Sequence, residues 1–215
     1  MKHLNGLTKI AALALLCTMP VPALAQSAEL PPAWLAFERA CAGIAAYTAT
    51  VTVFDQKGAQ SENSVFDYSF RKPSSATMRI VKGAHAGGTL IWSGGATVVA
   101  RMGSGFLGLF SKTYALHDPV VTNLRGSSID QLSFAAIISH GADTAGSVSE
   151  ATGPVIDGVS TVAVSMVPKS SAIDAGLTLE IVDIASTTNL PLRVLGYDGP
   201  TLVRQLQFSN VKVLL

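Results

Sequence analysis

The sequence predicts a mainly β protein with two short helices, its antiparallel sheet curled around those helices into a half-barrel or barrel. Three observations carry the prediction. Short runs of strand-like alternation recur at intervals of about ten residues, with glycine turns between them. Only two stretches carry helical spacing. A sheet of about ten strands does not stay flat and half-wet, so it curls around whatever covers it.

A leader precedes the fold. Met1-Lys2-His3 and Lys9 are a basic opening, and Ile10 to Cys17 is an apolar run too short to span a bilayer. Pro20 and Pro22 follow, and Ala23-Leu24-Ala25 supplies the small residues a signal peptidase accepts. Residues 1–25 therefore read as a secretory signal cleaved after about Ala25, and residues 26–215 as one half-barrel domain located in the periplasm. Leu16, ahead of Cys17, is too large for a lipoprotein acylation motif.

Cleavage removes Lys2 and Lys9, leaving 13 basic residues against 14 acidic ones, a net charge of −1. That balance argues against a nucleic-acid binder, which needs a basic stripe. Cys17 also leaves, so Cys41 has no disulfide partner within the chain. Charged residues are 13% of the sequence, against about 25% in an ordinary soluble protein. Such a chain buries unusually much or exposes apolar surface on purpose.

The first helix is expected over Ala33–Ala46, where Trp34, Phe37, Cys41 and Ile44 fall on one face. Cys41 on that stripe reads as a buried, inert thiol. From Tyr47 to Phe54 the period switches to two, with Tyr47, Ala49, Val51 and Val53 on one side and threonines on the other. Asp55 to Gly58 reads as a turn, and Val65–Arg71 returns with Phe66, Tyr68 and Phe70 on one face. Short strands follow at Thr77–Val81, Thr89–Trp92, Thr97–Met102 and Thr113–Leu116. Ser128 and Gln131 fit a capping box opening a second helix, Ile129–Ser139. Strands resume at Ser147–Ala151, Val159–Val167, Leu177–Ile184, Leu192–Tyr197 and Leu202–Val211, with hairpin turns at Asp157-Gly158 and Asp198-Gly199.

Chemistry-bearing motifs are scarce. His85, His117 and His140 lack ligand spacing, so no metal is expected. There is no Gly-x-Ser-x-Gly elbow, phosphate loop or dinucleotide fingerprint, and no cofactor is expected. A hydrolase would need a Ser-His-Asp triad assembled from distant residues. Glu150, Asp157, Glu180 and Asp183 are acidic residues whose separations only a fold can set. The segment 103–110 sets Phe106, Leu107 and Phe110 among glycines, which suits either a loop tucked into the core or an apolar gate. With strand alternation, these residues give the candidate hydrophobic cavity or gate: Tyr47, Val51, Val53, Phe66, Tyr68, Phe70, Trp92, Phe106, Leu107 and Phe110.

The order of elements carries a resemblance. The helix leads into Tyr47–Phe54 and the strand end Phe70-Arg71-Lys72-Pro73, followed by Met78-Arg79-Ile80 and Thr89-Leu90-Ile91-Trp92-Ser93-Gly94-Gly95. Asp183, then Thr188-Asn189-Leu190-Pro191-Leu192-Arg193, Tyr197-Asp198 and Gln207-Phe208-Ser209-Asn210-Val211 close the chain. The sequence resembles the periplasmic lipoprotein-carrier superfamily of LolA/LolB/RseB-like fold, and more narrowly a bacterial branch of it. The resemblance implies a helix-covered incomplete barrel whose apolar cavity accepts acyl chains or hydrophobic peptide ends, with no enzymatic activity. The expected partner is a hydrophobic ligand such as a lipid or an acylated protein, with transient contact to an envelope membrane or membrane protein. An envelope sensor that binds a protein partner through the same fold is the alternative.

Overall fold

The computed structural model describes residues 30–103 and 110–214. The secretory signal, Phe106 and Leu107 lie outside the described residues. Eleven strands form one antiparallel sheet: β1 (Ala46–Lys57), β2 (Gln60–Arg71), β3 (Ser75–Lys82), β4 (Thr89–Trp92), β5 (Thr97–Arg101), β6 (Ser111–Ala115), β7 (Ala145–Ile156), β8 (Val159–Pro168), β9 (Leu179–Ala185), β10 (Pro191–Asp198) and β11 (Thr201–Leu214). Their order across the sheet is β6-β5-β4-β3-β2-β1-β11-β10-β9-β8-β7. The chain thus makes two meanders that meet where β1 pairs with β11. The outer strands β6 and β7 do not pair with each other, so the barrel is incomplete as predicted.

Two helices cover one face. In α1 (Pro32–Ala42), Trp34, Phe37 and Cys41 are buried, and Ile44 just beyond it is buried too. Its last carbonyls are capped by Lys72, whose Nζ donates to Cys41 O at 2.8 Å and Ala42 O at 2.9 Å. Burial pushes the Cys41 thiol up, partly offset by Lys72, which leaves it inert.

The second helix differs from the prediction. Ile129–Leu132 is a 3-10 turn, and α2 begins only at Phe134 and runs to Thr144. Gln131 Oε1 accepts from Ser128 N at 3.1 Å, as the capping box requires. Ser133 then breaks the run by adopting an extended conformation, and its Oγ caps α2 by accepting from Ala136 N at 3.0 Å. A single helical pattern in the sequence therefore holds two starts.

The sheet residues beneath α1 and α2 are those the alternation selects. Tyr47, Ala49, Val51 and Val53 of β1 join Tyr68 and Phe70 of β2 and Leu206 and Phe208 of β11 in one core. Tyr47 stacks on Phe134, with ring centroids 4.1 Å apart, and its hydroxyl accepts from Phe134 N at 3.1 Å. Phe134 also meets Phe37 and Phe208 edge-on. At Gly141 a Cβ would stand 2.8 Å from the Trp34 ring and 2.9 Å from Met166 Sδ, so the helices reach this depth only because the residue is glycine.

Two turns differ in kind. Asp157 (φ 49°) and Gly158 (φ 80°) form the expected two-residue hairpin loop, both in the left-handed region. Between β10 and β11 the loop is Gly199-Pro200, one residue later than Asp198-Gly199, because Asp198 completes β10 opposite Thr201. A larger correction concerns Asp55. The expected turn at Asp55–Gly58 is strand as far as Lys57, with Asp55 opposite Glu62 of β2 and Arg204 of β11. Asp55 continues the inward series of Val51 and Val53 and is fully buried.

Candidate ligand-binding site

A cavity of about 320 Å³ opens between the covered face of β2–β6 and the segment that runs from Leu116 to Leu132. The sheet contributes Val53, Phe66, Met78, Ile80, Leu90 and Ala100, and the covering segment contributes Val121, Ile129 and Leu132. The size lies at the lower end of the ~300–1,000 Å³ of small-ligand sites, enough for one slender chain. Two exposed apolar residues, Met102 and Val120, stand among its lining at the rim.

The covering segment is tied down by specific bonds. Leu124 N donates to Glu62 Oε2 at 3.1 Å, and Tyr68 Oη donates to Ile129 O at 3.3 Å. Arg125 donates to Gln56 O at 2.9 Å and to Ala175 O at 2.6 Å. Two of these four anchors hold the segment's backbone and two its Arg125 side chain, leaving Val121, Ile129 and Leu132 to line the cavity.

The described residues proposed from sequence fall in four places. Val53 and Phe66 line the cavity. Tyr47, Val51, Tyr68 and Phe70 share their face but sit in the packed core, away from the cavity. Trp92 is half-buried, with Nε1 donating to Gly95 O at 3.0 Å. Phe110 is 59% exposed and not among the lining residues. The missed residues Met78, Ile80 and Leu90 lie on strands located correctly by sequence, and the phase of Ala76, Met78 and Ile80 on β3 was the available signal.

Ser128, His117 and Asp130 do come together at the cavity wall. Ser128 Oγ lies 3.0 Å from His117 Nδ1 and donates to Asp130 Oδ1. The serine is thus bonded to the carboxylate, which does not orient the histidine. A hydrolytic triad needs the carboxylate on the histidine's other nitrogen, so this is not one. The four acidic residues singled out from the sequence stay apart. Glu150 caps α1 by accepting from Ala33 N at 3.0 Å, Asp157 is in a turn, and Asp183 is held by Arg193 Nε at 2.8 Å.

Glu180 belongs to a second cavity, of about 420 Å³, which shares Ser127 with the first and is lined also by Arg125, His140, Asp174 and Arg204. His140 Nε2 lies 3.0 Å from Asp174 Oδ1 and 3.9 Å from Glu180 Oε2. The Asp174 carboxylate beside it raises the histidine's pKa, against the opposing effect of burial. Burial raises that of Glu180, which Arg204 and His140 only partly offset. Asp55 is pushed up to about 6 by burial, with Arg204 opposing. Among the described residues, neither carboxylate oxygen of Asp55 has a hydrogen-bond partner, nor does Arg204 Nε.

Similarity to known structures now bears on the fold. An uncharacterized conserved protein from Thermus thermophilus superposes with a TM-score of 0.51 at 10% identity, covering 85% of this chain and 85% of its own. A LolA superfamily protein from Nitrosomonas europaea gives a TM-score of 0.41 at 10% identity, covering 85% and 94%. The Mycobacterium tuberculosis lipoprotein LppX gives 0.45 at 15% identity, covering 84% and 95%. The likeness to the Thermus thermophilus protein shows the fold alone, an open antiparallel sheet covered by helices. No protein-family model matches the chain, and no curated protein matches its sequence.

Proposed function

We propose that this is an exported periplasmic protein that binds or carries a hydrophobic ligand, a lipid or the acyl chain of a lipoprotein. The observation that supports the reading is the apolar cavity between β2–β6 and the covering segment, with exposed Met102 and Val120 at its rim. Transfer of an alkyl chain into such a space is favourable by about 0.8 kcal/mol per CH₂. Met102 and Val120 give an alkyl chain apolar contact at the mouth, where Arg101 and His85 are exposed as well.

Two measurements test the proposal. Protein isolated from the periplasm should release lipid on organic extraction, identified by mass spectrometry. Ile80→Trp should fill the cavity, because Ile80 lines it from β3 and is only half-buried. The expected result is at least a ten-fold loss of affinity for an apolar dye with the melting temperature kept. Dye binding that survives Ile80→Trp, in a protein that carries no lipid, sinks the carrier reading. Capture of a membrane protein by a lipid-free chain would favour a sensor in its place.

A further inference from the structure

The polar cavity is chemically unlike its neighbour, and the apolar-ligand reading does not use it. Three carboxylates lie at or beside it with almost no exposure: Asp174 at 4%, Glu180 at 3% and Asp55 at 0%. The cations beside them keep their charge but have few donors to spare. Arg125 is committed to the carbonyls of Gln56 and Ala175. Arg204 stands opposite Asp55 in the β1–β11 register and also faces Glu180. One histidine nitrogen, His140 Nε2, serves both Asp174 and Glu180, and only at 3.9 Å in the second case. Glu180 is buried and lines the cavity, and its ion-pair partner His140 Nε2 stands at 3.9 Å, beyond hydrogen-bond reach. A buried carboxylate in that state costs free energy unless a donor reaches it.

We propose that this cavity binds a primary ammonium group, with Glu180 and Asp174 as its acceptors. An ammonium brings three donors and no acceptor, which complements carboxylates that only accept. Its bonds to them are charge-assisted and so among the stronger hydrogen bonds. An anion would instead add a negative charge to a site already short of cations. Both a free small amine and the head of an aminolipid carry this chemistry. In the second case the lipid chain occupies the neighbouring apolar cavity, and only that case rests on the function proposed above.

The test titrates the protein purified after export with three probes: ethanolamine, dodecylamine and dodecanol. If the source is a lipid head, dodecylamine binds at least ten-fold more tightly than dodecanol. Glu180→Gln and Asp174→Asn then each erase that preference and leave dodecanol binding unchanged. If the source is a free amine, ethanolamine binds the native protein and not Glu180→Gln, whatever the long-chain probes do. Failure of both long-chain probes with ethanolamine binding intact removes the apolar-cavity reading and supports this one. Equal binding of dodecylamine and dodecanol with ethanolamine silent overturns the proposal. So does a preference for amine that persists in both variants, each checked for folding by its melting temperature.

Discussion

Phe134→Ala should cost roughly 3–5 kcal/mol of folding stability, the range for truncating a buried aromatic ring that leaves a cavity. Phe134 is 1% exposed and is the residue through which the helices and the sheet meet. Its ring stacks on Tyr47 at 4.1 Å and takes edge contacts from Phe37 and Phe208. The surrounding groups come from α1, β1 and β11, so they cannot collapse together without shifting three elements. The backbone N–H of Phe134 also binds the Tyr47 hydroxyl, whose own burial leaves few alternative partners. Urea unfolding of the variant checks this through a lowered midpoint with an unchanged slope. A loss under about 1 kcal/mol would mean that the stack is not the centre of the core.

Asp55→Asn should act in the opposite direction, raising stability at pH 7 by something on the order of 2–3 kcal/mol. The carboxyl has a pKa of about 6 in the folded protein against an ordinary 3.8. Between those values the folded state holds a proton that the unfolded state has released. Stability therefore falls as pH rises from about 4 to about 6, and the deficit is complete above that window. Glu180 is raised by burial and acts in the same sense. His140, raised by Asp174, contributes stability that is present below its ordinary 6.5 and is lost as pH rises through its folded value. The contribution of these three groups to native stability should thus be greatest at or below about pH 4. Asp55→Asn should flatten the profile between pH 4 and 6, while Arg204 keeps Glu180 as a counter-charge. Chemical denaturation at a series of pH values measures it. A native profile that climbs with pH across that window contradicts the assignment.

Much of the fold was legible because inward and outward positions alternate cleanly where both faces are occupied. Tyr47 to Val53 and Phe66 to Phe70 could be sorted onto one face directly, while which face the helices cover was not legible. The break at Ser133 was not legible, since Ile129, Leu132 and Phe134 keep apolar spacing across it and only the serine's extended backbone divides the run. The apolar cavity was partly legible. Alternation names a face, but whether Phe66 borders space and Tyr68 borders protein depends on where the helices end. The polar cavity was overlooked although it left a trace. Val51-x-Val53-x-Asp55, Glu180-x-Val182-x-Ile184 and Arg204-x-Leu206-x-Phe208 each place one charge in the phase of the core. Each charge looks like the end of a strand when read alone. They become a cluster only when β9 and β1 are set on either side of β10 and β11.

The pairing of β1 with β11 also fixes the timetable of assembly. Hairpins within each meander join neighbours in the chain and form early, whereas Val51 meets Phe208 across most of the sequence. A chain delivered in order from its amino end must hold the apolar edge of β1 unpaired until β11 emerges. During that interval the edge is a template for any passing strand. The centre of the finished sheet is thus its last seam to close, and a chain threaded through a membrane would need a chaperone most for that one edge.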